Sequence, residues 1–214
     1  MVRITETEPV GPLARPPKPE SLPRHRREKR QSIVRAALEL LEADDYERIQ
    51  IRMVAERADV ALGTVYRYFG SKEHLYAAVM LEWATTYRLA LTNTTGGNDA
   101  ERLKRLMRRA VRAFEKRPQF FRLEIVLESS ADEGVRELFD EFSKRHVTVI
   151  LEALQSLEPR DAKAVADVTN AVLGARLREW ALGRATIQEV YSAVDSAVDL
   201  IFSAPPPTAT SRST

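Results

Sequence analysis

Thr64, Tyr66, Arg67, Tyr68 and Lys72 fall within nine residues, directly after Gly63 and one short segment after Arg52. Hydroxyls, guanidinium groups and an amine crowded this closely suit contact with a polyanion that also presents hydrogen-bonding edges. On a short helix, an aromatic and basic outer face of this kind can lie in the major groove of DNA, whose width admits a helix. Catalytic chemistry finds no comparable cluster. The chain has no cysteine, so disulfides, thiolate nucleophiles and the usual structural zinc sites are excluded together. His25, His74 and His146 are far apart in sequence and form no ligand-spaced pair, so neither a metal nor a cofactor is expected. No nucleophile–base pair, paired-carboxylate site or phosphate-binding glycine loop stands out, and an enzyme is not expected.

The elements that must position the cluster are legible in the apolar spacing. Ile51, Val54, Ala55 and Ala58 recur at helical intervals and leave Arg52, Glu56 and Arg57 outside. Residues 59–63 interrupt the pattern. Val65 and Phe69, four apart, then open a second short face from which Tyr66 and Arg67 project elsewhere. Helix, turn, helix is the simplest reading. Before it, Ile33, Ala36, Ala37, Leu40 and Leu41 make the stripe of a first helix that ends at Asp44 and Asp45, and Tyr46 and Ile49 should fill the gap between helices. After it, Ser71 reads as the N-cap of a long helix reaching about Asn93, ~35 Å in length.

The run DVALGTVYRYFGSKEHL closely resembles the DNA-binding segment of TetR-family transcriptional regulators. The resemblance covers about a quarter of the chain. It implies that Arg52, Gly63, Thr64, Tyr66, Tyr68 and Lys72 occupy DNA-contacting positions, with Arg67 as an additional contact. Chemistry permits a division of labour among them. Arg52 can take guanine O6 and N7 together, Thr64 can meet a thymine methyl or a base edge, and Gly63 lets backbone approach closely; Tyr66, Tyr68 and Lys72 suit phosphates. Gln50 departs from the family pattern, in which a threonine commonly caps the first short helix and touches phosphate.

Two tails and a body complete the chain. Residues 1–23 carry six prolines and should be an extended tail, and residues 204–214 a disordered one. The junction of residues 1–23 with the basic run of residues 24–30 (Arg24, Arg26, Arg27, Lys29 and Arg30) could act as an arm on DNA. The expected divisions are therefore a head at 24–70, a connecting helix and linker at 71–98, and a body at 99–203. The linker ends in Gly96–Gly97–Asn98, which cannot sustain a helix. Within the body, helical stripes run through Leu103 to Phe114, Phe120 to Leu127, Val135 to Leu154 and 161–182, with stops at Pro118 and Pro159. A Thr186–Glu189 capping box opens the last helix, 186–202. No strand-period segment is found, and the fold class is all-α with about nine helices.

A head of this size covers only a few base pairs, so two are needed, about 34–36 Å apart on a near-palindromic site; that predicts a homodimer on double-stranded DNA. The family likeness places the dimer interface on the last two helices, where Ala164, Val168, Ala171, Val172, Ala175, Val194, Ala197 and Val198 are small. It also implies an effector bound in the body. Phe114, Phe120, Phe121, Leu127, Phe139, Phe142, Asn170 and Trp180 are the candidate lining on that resemblance, whereas sequence alone prefers a packed core for such a hydrophobic stock. With EWALGRAT before the last helix, the chain is similar to sterol-responsive members of the family, which implies a small hydrophobic effector, a steroid or an acyl-coenzyme A type of lipid metabolite. A net charge of only +2 does not by itself mark a nucleic-acid binder. No apolar run nears the ~20 residues of a membrane span, and the N-terminus lacks a signal-peptide core, so a cytoplasmic protein with no membrane partner is expected. The competing reading is a helical protein that uses residues 24–30 and the first helix as a basic amphipathic surface for a membrane or partner.

Overall fold

Nine α-helices and one short 3₁₀ turn make up the described residues, 21–91 and 96–203, of the computed structural model; no strand occurs among them. Most of the expected tails (1–20 and 204–214) and residues 92–95 lie outside this range. The head holds α1 (Arg24–Ala43), the 3₁₀ turn Tyr46–Arg48, α2 (Ile51–Arg57) and α3 (Leu62–Tyr68). The basic run forms the first turns of α1, and all of it except Arg30 is exposed. Ile33, Ala37, Leu41, Ile49, Val54, Val65 and Phe69 close the head's core.

The turn between α2 and α3 is set by backbone chemistry. Asp59 adopts a left-handed conformation at φ 51°, which aspartate tolerates better than most residues. The Asp59 N–H then donates to Glu56 O at 3.2 Å and the Val60 N–H to Ala55 O at 3.0 Å, satisfying carbonyls that the end of α2 leaves open. α3 is thereby launched across α2 at a fixed angle.

α4 (Lys72–Leu91) leaves the head as expected, with the Ser71 hydroxyl accepting from the His74 N–H at 3.0 Å. It passes into a body of α5 (Asp99–Lys116), α6 (Pro118–Glu128), α7 (Glu133–Ala153), α8 (Pro159–Ala181) and α9 (Ile187–Ser203). Gly96 and Gly97 both have φ of 83°, and a Cβ on Gly97 would lie 2.2 Å from a Glu101 carboxylate oxygen, so this break requires glycine. Asn98 and Glu101 cap α5 reciprocally, through bonds of 2.9 and 3.2 Å. The Thr186–Glu189 box caps α9. Pro118 and Pro159 do more than stop helices: each is the first residue of the next, where a missing N–H costs nothing. α7 ends at Ala153, earlier than its apolar stripe suggested, because Leu154 turns inward as the cap.

The body's core is aromatic. Trp83 of α4 stacks on Phe120 at 4.7 Å between ring centroids and tilts against Phe114 at 5.3 Å, and Phe114 meets Phe121 edge-on at 5.2 Å. These rings join the connecting helix to α5 and α6. Asp99, buried, ties the start of α5 to the end of α7 by accepting from the Ser156 N–H at 3.1 Å and pairing with Arg102, whose Nε donates to Ala153 O. Phe120 is fully enclosed, so Phe120→Ala should lower unfolding free energy by about 3–5 kcal/mol. Urea denaturation checks this, and a loss below ~1 kcal/mol would mean that the ring is not the keystone described.

Candidate nucleic-acid interface and body cleft

The face of the head that α2 and α3 share is exposed, basic and partly apolar. Arg52 stands out from α2 with its side chain 72% exposed and Glu56 at 3.8 Å, too loose to immobilise it. On α3, Gly63, Tyr66 and Arg67 are exposed and Thr64 is half-buried. A Cβ added to Gly63 would meet no atom within 4 Å, so the glycine leaves open space on the outer surface. Met53 and Leu62 are exposed beside them and were not singled out in the sequence. As apolar outliers on short amphipathic helices, they could have been.

Two of the sequence candidates face inward. Tyr68 is 5% exposed: with Val65 and Phe69 it forms the i, i+3, i+4 face that seats α3 on the head. The amine of Lys72 donates to Tyr46 O at 2.6 Å and lies 4.0 Å from the Tyr46 ring centroid. Burial lowers its pKa, with Glu73 and Glu47 acting in the opposite sense. Tyr46 in turn donates to Glu73 at 3.0 Å and meets Tyr76 edge-on. Lys72 thus fastens the 3₁₀ turn to the start of α4.

In the body, a cleft of about 620 Å³ lies between α6, α7 and α8, inside the ~300–1,000 Å³ range of small-molecule sites. Of the lining candidates from the sequence, Phe121, Phe139 and Asn170 face it. Phe114, Phe120, Leu127 and Phe142 are instead buried in the core, and Trp180 is half-buried away from the cleft. Their periodicity marked burial, which core and cavity share. Arg178, a polar candidate in the sequence, lines it too, whereas Glu124, Glu128, Ser143, Glu179 and Arg184 went unnoticed there. One signal was available, since Glu124 interrupts an apolar run three residues after Phe121 and four before Glu128. Burial, then Glu128, pushes the Glu124 carboxyl up to about 8, opposed by Arg178. Another cleft, of about 590 Å³, lies where α1, α4 and α7 meet, with charged walls that include Glu82, Glu137, Asp140, Lys144 and Arg145.

α6 touches both regions. At its N-terminal end the Gln119 amide donates to Leu41 O at 3.1 Å and to Glu42 O at 3.4 Å, Arg117 pairs with Glu42 at 3.0 Å, and Arg122 pairs with Asp45 at 2.8 Å. Phe121, Glu124 and Glu128, further along, wall the cleft.

Among the described residues, the large apolar side chains that remain exposed fall in two places. Met53, Leu62 and Tyr66 are on the head; Val168, Leu182 and Leu200 are on or just after α8 and on α9. Of the small residues expected at an interface, Ala164, Val168, Ala171 and Ala175 are exposed, Val172 and Ala197 are half-buried, and Val194 and Val198 belong to the core of this single chain.

A helix-turn-helix head on an all-helical body with an open cleft between α6, α7 and α8 defines a class, and comparison with known proteins identifies it. Residues 33–79 match the family model for bacterial regulatory proteins of the tetR family, and residues 96–201 match that for the tetracyclin repressor-like C-terminal domain. The chain belongs to the TetR family. It is 31% identical over 177 residues to the HTH-type transcriptional repressor KstR of Rhodococcus jostii, covering 82% of this chain and 84% of that one. With KstR of Mycolicibacterium smegmatis it shares 34% over 182 residues, covering 82% and 88%. Solved structures agree on the fold. A TetR transcriptional regulator from Rhodococcus sp. RHA1 superposes with a TM-score of 0.72 at 23% identity, over 83% of this chain and 97% of that one. FadR of Bacillus subtilis, in complex with stearoyl-CoA, gives 0.62 at 17%, over 80% and 96%. No helix among the described residues is long and apolar enough to cross a membrane.

The contrasting exposure of the two tyrosines is measurable without any ligand. Tyr66→Ala should change stability by less than about 0.5 kcal/mol, whereas Tyr68→Ala should cost about 3 kcal/mol or more. Equal effects in thermal or urea unfolding would contradict the packing of α3.

Proposed function

We propose that the chain is a transcriptional repressor that binds a near-palindromic operator as a homodimer and leaves it when a small apolar effector enters the body. The observation that carries this reading is the single helix α6, which walls the cleft with one part and grips the DNA-reading head with another. The relatives named as repressors support repression over activation.

Arg52, Gly63, Thr64, Tyr66 and Arg67 are the contacts we assign to DNA. Arg52 is free to take a guanine edge, and Thr64, with its exposed neighbours Leu62 and Met53, suits base edges and thymine methyls. Gly63 lets the α3 backbone come close, and the Tyr66 hydroxyl and Arg67 suit phosphates. Tyr68 and Lys72 serve the same surface from behind by fixing α3 and α4 in the head. The exposed arginines at the start of α1 add sequence-independent attraction to phosphates.

Two heads are brought together by pairing α8 and α9 with a second copy. The exposed apolar residues Val168, Leu182 and Leu200, and the small Ala164, Ala171 and Ala175 among them, permit close helix approach. Because Ala171, Ala175 and Leu182 also line the cleft, an effector there would adjoin the pairing surface as well as α6. The solved neighbour that holds stearoyl-CoA and the likeness to sterol-responsive regulators favour a lipid effector, steroid or acyl-coenzyme A in type. The chain acts by binding, not by catalysis, and no histidine lines this cleft.

Operator fragments selected from genomic DNA should be near-palindromic and should bind two chains per site by analytical ultracentrifugation. Gly63→Ala should keep or slightly raise stability, by up to about 1 kcal/mol, since helix interiors favour alanine. It should nevertheless weaken operator binding at least ~10-fold, the equivalent of 1.4 kcal/mol. Wild-type affinity in a folded Gly63→Ala dimer would remove α3 as the reading helix.

A further inference from the structure

Resting on the reading of the cleft as the effector site, we infer that Glu124 selects the effector: as a neutral carboxylic acid it donates a hydrogen bond to an uncharged acceptor oxygen, a carbonyl, ether or hydroxyl, on an otherwise apolar molecule.

Three observations converge on this residue. Glu124 is half-buried at the cleft wall, and its Oε2 atom is buried and meets no hydrogen-bond partner in the chain. Leaving a buried polar atom unpaired costs about 1–3 kcal/mol, and a ligand that supplies the missing partner recovers it. Glu124 also lines the cleft, whose walls combine Phe121, Phe139, Leu182 and the small Ala171, Gly174 and Ala175 with the uncharged polar Ser143 and Asn170. An ionised carboxylate in such surroundings is disfavoured, and the group takes up a proton instead.

The charged neighbours agree. Glu128 lies on the same helix. α8 contributes Arg178 and Glu179, the connection after it contributes Arg184, and α7 faces the cleft with the uncharged Phe139 and Ser143. Arg178 is the group that would ionise Glu124, but its guanidinium is held by Glu128. With the carboxyl pushed up to about 8, Glu124 is chiefly protonated at neutral pH and carries an O–H to donate.

The arrangement sets a direction for the bound molecule. A neutral oxygen belongs beside Glu124, because a carboxylate or phosphate there would meet two acidic side chains. Any anionic end belongs near the exposed Arg184, because the charge of Arg178 is already balanced by Glu128.

The test uses the full chain and four dodecyl probes that differ only in the head: a methyl ketone, a methyl ether, an alkylammonium and the plain hydrocarbon. Binding is read by calorimetry at pH 6.5 and pH 9. The ketone and ether should bind wild type at least ~10-fold more tightly than the hydrocarbon, and ketone affinity should fall at the higher pH as the donor proton is lost. Glu124→Gln keeps an N–H donor, so it should hold the ketone within ~3-fold of wild type at pH 6.5 with no fall at pH 9. Glu124→Leu should lose the preference for ketone over hydrocarbon while still binding the hydrocarbon. Equal binding of ketone and hydrocarbon by wild type overturns the role of Glu124 and leaves the cleft standing, as does a preference for the alkylammonium. Failure of every probe to bind any form overturns the cleft itself, and this inference with it.

Discussion

The side chain of Gln119 lies across the open end of α1, where the helix leaves its last carbonyls without internal partners. Its amide reaches Leu41 O and Glu42 O, and the flanking Arg117 and Arg122 pair with Glu42 and Asp45. The rest of the structure depends on this grip, because it is made by α6, the helix whose other residues wall the cleft. Each ion pair is exposed and worth little, ~0–1 kcal/mol. A set of weak contacts is what a switch needs: it orients the head in one state and can be given up in another at a cost that ligand binding covers.

Around that junction the chain is rigid on both sides. In the head, the left-handed Asp59 fixes the turn, and the Tyr46–Lys72–Glu73 node fastens the 3₁₀ turn to α4. In the body, Trp83, Phe114, Phe120 and Phe121 lock α4 to α5 and α6, and Asp99 locks α5 to α7. Among the contacts that also cross between them is the bond that the Ser71 hydroxyl donates to Asp132, which caps α7. Displacement of α6 or α7 therefore has few ways to be absorbed other than by tilting the head.

Local features were legible in the sequence because their physics is local. Apolar spacing located the helices. The caps at Ser71 and Thr186 involve residues three positions apart, and the glycine break needed only φ. Even the burial of Tyr68 was written in the spacing 65, 68, 69, but its hydroxyl drew attention to chemistry before packing. The grip of α6 on α1 was not legible. Arg117 and Glu42 are 75 positions apart (117 − 42), and nothing in either neighbourhood signals the other. The cleft was half legible: aromatic stock implied burial, but whether rings close a core or line a space depends on how α6, α7 and α8 cross. Glu124 gains its meaning only from that crossing.

Head separation tests the account most directly. The chain lacks cysteine, so a single Arg35→Cys, at an exposed site on α1, carries one spin label per protomer. Double electron–electron resonance on the labelled protein, paired as proposed, would then give the distance between heads with and without the ligand that releases the operator. The account predicts a shift in that distance on ligand binding, and loss of the shift when Arg117, Gln119 and Arg122 are replaced together by alanine. Ligand-driven release of the operator with no change in head separation would contradict it, as would an undiminished shift in the triple variant.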